Sequence, residues 1–222
     1  MDKIIKLYGE VTAIKNLLER QFGMALDYEL EEDNLDIRLS IYNATEEEIS
    51  QIEQLFDEQI YNTDDISIQQ TVVDFLSENN LTIAIAESCT GGLLSAKITQ
   101  VSGASEVFYE GVVCYTNSSK QLRLGVKKDT LIKYGAVSKE TALEMAKGIL
   151  EDKVDIGISI TGIAGPKGGS LEKPIGLVYI ALASDAGEDV FDFIFSGGRE
   201  EVRQKSVNTA LYKAFLHIMK YY

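Results

Sequence analysis

One histidine, two cysteines and two prolines in 222 residues narrow the chemistry before any motif is read. Zinc sites with two or more His ligands are excluded by count. A Ser-His-Asp triad or a Cys-His dyad is not expected either, because the sole imidazole, His217, lies in a helical stretch five residues from the C-terminal end. Cys89 and Cys114 are too few for a disulfide scaffold or a cysteine-only zinc site, so two reduced thiols in a cytoplasmic compartment are expected. Two prolines beside 18 glycines exclude collagen-like and low-complexity chains. Long apolar runs are also missing: residues 81–86 and 175–183 fall well short of the roughly 20 residues of a membrane span, and Met1-Asp2-Lys3 begins no signal segment. With 45% hydrophobic and 25% charged residues, the chain reads as globular rather than disordered. Domains usually run roughly 100 to 200 residues, so one full domain and a smaller unit are expected.

Charge is distributed unevenly. Residues 1–65 hold 17 Asp and Glu against 5 Lys and Arg, a formal −12, whereas 66–222 hold 18 against 16, a formal −2. The acidic segment repels phosphate backbones, so nucleic acid is not an expected partner, while the near-neutral remainder permits a local anion site.

The acidic segment reads as a small α+β domain over 1–63. Its strands are expected at 4–8, 26–29 and 35–42 and its helices at 11–22 and 45–58, followed by a polar linker at Asn62-Thr63-Asp64-Asp65. The second helix has a start signal, Thr45 as N-cap with Glu48 three residues on. Residues 66–222 read as a three-layer α/β/α domain. Helices are expected at 67–77, 93–99, 118–124, 129–133, 139–151 and 200–221, and strands at 81–86, 107–115, 156–161, 177–183 and 190–195. The hairpin-like spacing of the last strands predicts a mixed sheet, and no internal repeat is present.

Ser88 stands where an apolar strand meets a helix start, after Glu87 and before Cys89-Thr90-Gly91-Gly92. A hydroxyl there lies near free backbone N–H groups able to hold an oxyanion, and the two glycines let a substrate approach the main chain. Ser is equally a leading N-cap residue, so a cap is the competing reading. A nucleophilic serine needs a base, and with His217 remote the substitute is a lysine whose pKa burial has lowered. Lys120, just after the strand at 107–115, is the candidate; Lys97 and Lys147, and a plain surface role for Lys120 itself, are the alternatives. The glycine-rich stretch Thr161-Gly162-Ile163-Ala164-Gly165-Pro166-Lys167-Gly168-Gly169 can bring N–H groups toward a phosphate or carboxylate, although it lacks a Walker lysine and can equally be a simple connection. Arg199, after Ser196-Gly197-Gly198, sits at a helix start that also suits an anion. Cys89 is read as a small buried hydrophobe, having no histidine nearby to generate its thiolate. The acidic clusters lack calcium-loop spacing.

Taken in order, Ala86-Glu87-Ser88-Cys89-Thr90-Gly91-Gly92, Val101-Ser102-Gly103-Ala104-Ser105, Gly111 to Lys120, Tyr134-Gly135-Ala136-Val137-Ser138, Thr161 to Pro166 and Glu172-Lys173-Pro174-Ile175-Gly176 resemble the C-terminal domain of CinA, whose stand-alone members are PncC-type nicotinamide-nucleotide amidases. The likeness covers roughly residues 66–220. It implies hydrolysis of nicotinamide mononucleotide to nicotinate mononucleotide and ammonia, in pyridine nucleotide salvage, without metal or cofactor. Carried onto this sequence, it makes Ser88 the nucleophile and Lys120 the base, with Tyr115 and Thr161 as helpers. Glu87, Cys89, Thr90, Gly91, Gly92, Asn117, Gly162, Gly165, Gly168, Gly169 and Arg199 are the expected substrate contacts. A homo-oligomer is expected, and neither nucleic acid nor membrane is an expected partner. Residues 1–63 resemble the KH-like linking domain of full-length CinA, yet they hold no Gly-x-x-Gly clamp, so a structural or oligomerisation role is expected. The large molybdopterin-binding-like domain of full-length members has no counterpart in these residues, so its pyrophosphatase activity and metal requirement are not expected here. Where family members often read Ser-Asn-Glu-Ala-Lys, this chain has Thr116-Asn117-Ser118-Ser119-Lys120. That departure keeps open a non-catalytic nucleotide-binding or competence-associated regulatory protein on the same fold.

Overall fold

The structure, a computed structural model, describes residues 1–150 and 153–222 and divides into two compact units, Met1–Thr71 and Val72–Tyr222. In the first unit, β1 (Lys3–Tyr8), α1 (Val11–Phe22), β2 (Asp27–Asp33), β3 (Asp36–Tyr42), α2 (Glu46–Leu55) and β4 (Ile60–Asn62) follow one another. The strands form an antiparallel sheet in the order β2-β3-β1-β4. Strand alternation sends Ile5, Leu7, Ile37, Leu39 and Ile41 to one face, where they form a core with Ile14 and Leu18 of α1 and Ile49 and Ile52 of α2. The capping box is formed: Glu48 N–H donates to Thr45 Oγ1 at 3.2 Å and Thr45 N–H to Glu48 Oε2 at 2.8 Å. The Thr45 N–H and the Thr45 hydroxyl, both donating to Glu48 Oε2 at 2.8 Å, hold the Glu48 carboxyl below its usual range. Several boundaries differ from the sequence expectation: the strand expected at 26–29 runs on to Asp33, and the helix expected at 45–58 ends at Leu55. Leu35 takes a left-handed φ of 74° in the β2–β3 turn instead of starting a strand, and the three-residue β4 is too short to show a period.

A helix, α3 (Ile68–Glu78), leads from one unit into the other. The second unit continues with β5 (Ile83–Glu87), α4 (Leu93–Thr99), α5 (Ala104–Val107), β6 (Phe108–Val113), α6 (Asn117–Leu124), α7 (Lys128–Lys133) and α8 (Lys139–Gly148). It ends with β7 (Ile156–Gly162), β8 (Leu177–Ser184), β9 (Glu188–Ile194) and α9 (Arg199–Tyr221). The sheet order is β6-β5-β7-β8-β9, parallel from β6 to β7 and antiparallel from β7 to β9, so the sheet is mixed as its sequence pattern implies. Every residue of β5 is buried, as expected of a strand covered on both faces.

Small residues let α8 lie close against the sheet. A Cβ on Gly157 would stand 2.2 Å from Ala146 O, Ser159 Oγ donates to Ala142 O at 2.6 Å, and Ala142, Ala146, Ala181 and Ala183 form one cluster. Helices α4 and α9 pack together on the opposite side, completing three layers. The expected helix at 139–151 ends at Gly148; Glu151 itself lies outside the described residues. The expected strand at 107–115 is shorter, because Val107 closes α5 and Thr116 caps α6 by accepting from Ser119 N–H at 3.1 Å. The C-terminal ends of parallel β5, β6 and β7 therefore converge on one crevice edge, the usual place for a ligand in an open α/β sheet.

Candidate active site

Ser88 leaves the end of β5 with its N–H bonded to Ile160 O of β7 at 2.9 Å. It does not cap the helix that follows. Gly92, at a φ of 95°, holds the N-cap position, and the fully buried Glu87 carboxylate accepts from the N–H groups of Gly92, Leu94 and Ser95 at 2.9 to 3.1 Å and from Ser95 Oγ at 2.7 Å. A carboxylate over the positive end of the helix does the capping, so the Ser88 hydroxyl is left to face the cavity.

Lys120 is carried by the first turns of α6 and is 1% exposed. Its ammonium donates to Cys114 O at 2.6 Å and to Ser88 Oγ at 2.8 Å. Burial pulls its pKa below the ordinary lysine value, so the neutral amine forms more readily beside the hydroxyl. Lys97 lies elsewhere, with Nζ on Asn208 Oδ1, and Lys147 pairs with Glu188, so of the three lysines Lys120 is the one beside Ser88.

Ser88 and Lys120 open into a cavity of about 240 Å³ that Cys89, Tyr115, Thr161 and Arg199 also line, with residues 162–165, 167 and 168 of the glycine-rich loop on one wall and Ala136 and Val137 on another. Thr161 Oγ1 donates to Ala136 O at 2.8 Å. Arg199 reaches across the mouth, donating to Gly165 O at 2.9 Å and to the Tyr115 hydroxyl at 3.0 Å. Burial pushes the Cys89 thiol up to about 12, which keeps it protonated and unreactive beside Ser88. The remaining expected contacts lie off the cavity wall. Glu87 is engaged as the cap, Thr90 is buried with its carbonyl accepting from Arg203 at 2.7 Å, and Gly91 and Gly92 form the turn behind Ser88. Asn117 is exposed on α6, and Gly169 packs where a Cβ would meet Ile175 at 2.9 Å.

Lys167, Ala136 and Val137 are cavity residues that the sequence reading did not single out; their signal was their place inside stretches already notable for glycine. Arg203 carried no local signal. Ser118 and Ser119, the departure from the frequent family pattern, are not part of the cavity lining.

His217 is more than part of a helix face: its ring is buried, with Nδ1 2.8 Å from Asp189 Oδ2 and Nε2 3.1 Å from Ser184 Oγ. The order of partners is that of a Ser-His-Asp triad, but Ser184 Oγ also bonds both the carbonyl and the N–H of Gly187 in the β8–β9 turn. The trio ties α9 to that hairpin and none of its members lines the cavity holding Ser88. Among the described residues, no group of three or more His, Cys, Asp or Glu is placed to hold a metal, and no helix is long and apolar enough to cross a membrane.

Residues 65–217 match the family described as the CinA C-terminal domain. The chain belongs to the CinA family. It is 42% identical to a Clostridium tetani protein named for competence-damage induction, over 95% of this chain and 55% of that protein. It is 41% identical to a CinA-like protein of Kosmotoga olearia, over 94% of this chain and 54% of that one. It therefore spans about half the length of these relatives. Among solved structures, competence/damage inducible protein CihA from Agrobacterium tumefaciens superposes with a TM-score of 0.64 at 39% identity, covering 68% of this chain and 93% of that one. A CinA superfamily protein from Klebsiella pneumoniae gives 0.67 at 30% identity, over 69% and 96%. The family's five-stranded mixed sheet flanked by helices is thus the second unit of this chain.

Proposed function

We propose that this protein is a metal-independent amidase that hydrolyses the carboxamide of nicotinamide mononucleotide to nicotinate mononucleotide and ammonia. The observation that carries this reading is the buried Lys120 amine 2.8 Å from Ser88 Oγ at the end of β5. A neutral amine there takes the Ser88 proton as Oγ attacks the amide carbon. The turn amides of Gly91 and Gly92 are occupied by Ser88 O and Glu87, so the N–H of Cys89, which lines the cavity beside Ser88, is the turn donor that would receive the oxyanion. Lys120 then gives the proton to the leaving nitrogen, ammonia departs, and the acyl ester on Ser88 remains. Water, losing its proton to Lys120, adds to that ester; the C–Oγ bond breaks, Ser88 Oγ takes the proton back from Lys120, and the nicotinate product leaves. Lys167 and Arg199 on the cavity wall supply positive charge for the substrate phosphate, and Tyr115, bonded to Arg199, and Thr161 orient the amide.

The family and the position of Ser118 and Ser119 away from the cavity both favour catalysis over a purely regulatory module. Ammonia and nicotinate mononucleotide are measured in excess EDTA for wild type, Ser88→Ala and Lys120→Met. Turnover that resists EDTA and vanishes in both variants is the expected result; a wild-type protein that binds the mononucleotide without turning it over overturns the amidase reading.

A further inference from the structure

The Glu172-Lys173-Pro174-Ile175-Gly176 stretch has no part in the reaction just described and does not line the cavity, yet it ends the loop that does. Residues 163–176 join β7 to β8, and their first half forms one cavity wall. Lys173, near the far end of this loop, does not touch Ser88 or Lys120. Its ammonium instead crosses to the turn between α7 and α8, donating to Tyr134 O at 2.5 Å and to Val137 O at 2.7 Å. That turn is shaped around the ammonium: Gly135 has a φ of 81°, and a Cβ there would stand 3.1 Å from Lys173 Nζ. The backbone at Lys173 is fixed as well, because its carbonyl accepts from Ser170 N–H at 2.8 Å and its N–H donates to Ser170 Oγ at 3.0 Å. Val137 belongs to the opposite cavity wall, whose Ala136 carbonyl is held by Thr161. One cation thus binds two carbonyls of the 134–138 turn, whose Ala136 and Val137 line the cavity, while its backbone belongs to the loop that makes another wall.

We propose that Lys173 is a positioning residue whose ammonium clamps the glycine-rich loop to the 134–138 turn, fixing the cavity width and with it substrate affinity. The clamp rests on the amidase reading for its kinetic consequence only. A loop this rich in glycine is costly to order by backbone entropy alone, so a charge-assisted tie of two carbonyls is what keeps its wall in place before substrate arrives. Arg199 holds the same loop at Gly165 O, near its other end.

The test compares wild type, Lys173→Met and Lys173→Arg. Methionine keeps the stem and removes the donors; arginine restores a cation with several. In Lys173→Met the KM for nicotinamide mononucleotide rises about tenfold while kcat stays within about threefold, since the Ser88–Lys120 pair is untouched. Hydrogen exchange at the amides of Gly165, Lys167, Gly168 and Gly169 accelerates about tenfold, with the thermal midpoint close to wild type. Lys173→Arg recovers both properties. Unchanged KM and unchanged loop exchange in Lys173→Met, or a fall confined to kcat, overturns the clamp. If Lys173→Met does not fold, Lys173→Gln takes its place under the same criteria. Should wild type release no ammonia, the amidase reading fails, and loop exchange alone still decides the clamp.

Discussion

Replacing Lys120 by methionine tests the central geometry most directly, because the two side chains are similar in length and the substitution keeps a buried slot filled while deleting the amine. A positioned general base contributes about 10²- to 10⁴-fold, which at about 1.4 kcal/mol per tenfold is roughly 3–6 kcal/mol of barrier. Lys120→Met therefore loses activity by at least about 100-fold. Two opposing effects act on stability. Cys114 O loses its partner, costing about 1–3 kcal/mol, while the unfavourable burial of an ammonium is removed. The net shift in thermal midpoint is expected to be small beside the loss of rate.

The pH dependence carries a sign that can be checked. Burial lowers the pKa of Lys120, so in wild type the amine fraction, and with it kcat/KM, rises with pH and levels off above that lowered pKa, short of the ordinary lysine value. The same shift means that Lys120 diminishes folding stability at low pH and that this deficit is relieved as pH rises from the lowered pKa toward 10.5. Ammonia release followed from about pH 6 to 10, with thermal midpoints alongside, provides both readings. A Lys120→Met enzyme retaining more than about a tenth of wild-type kcat/KM would refute the assignment, as would a wild-type profile that still climbs at the ordinary lysine pKa.

Glu87→Gln leaves one acceptor oxygen where a carboxylate receives four hydrogen bonds, and is expected to cost about 2–4 kcal/mol in urea unfolding; a loss below about 1 kcal/mol would contradict its capping role. Burial lowers the pKa of His217, so the unfolded chain takes up its proton first as pH falls below about 6.5. Stability then declines from there down to the folded-state pKa, and His217→Gln removes that slope from the midpoint-against-pH curve. Gly148→Ala sets a Cβ 1.8 Å from Leu124 O, a backbone atom that cannot rotate away, and is expected to destabilise by more than about 3 kcal/mol or abolish soluble protein.

Much of this molecule was legible one residue at a time. Alternation in β3, the capping box at Thr45 and Glu48, and the apolar run of β5 are local consequences of side-chain period and backbone chemistry; the box forms where the pattern places it, β3 begins one residue later than expected and β5 is displaced from 81–86 to Ile83–Glu87. Ser88 was legible as a residue at a strand-to-helix junction, but not its freedom from capping: that depends on Glu87 folding back over Gly92, Leu94 and Ser95. The short elements α5 and β4 escaped because four- and three-residue segments carry too little period to separate helix from strand.

The sequence by itself supplied the candidates: with one distant histidine, Ser88 at a glycine-rich strand-to-helix turn and Lys120 after the next strand are the pair the proposed nucleophile needs. Only the tertiary structure decided that the two meet. Thirty-two residues separate them, and the 2.8 Å approach exists because parallel β5 and β6 end side by side, with α6 beginning just beyond β6. It also placed Arg199 at the cavity, set the Lys173 ammonium on the turn carrying Val137, and put His217 on a hairpin instead. Contacts between residues so far apart in the chain are set by sheet order and helix packing, which no local period encodes.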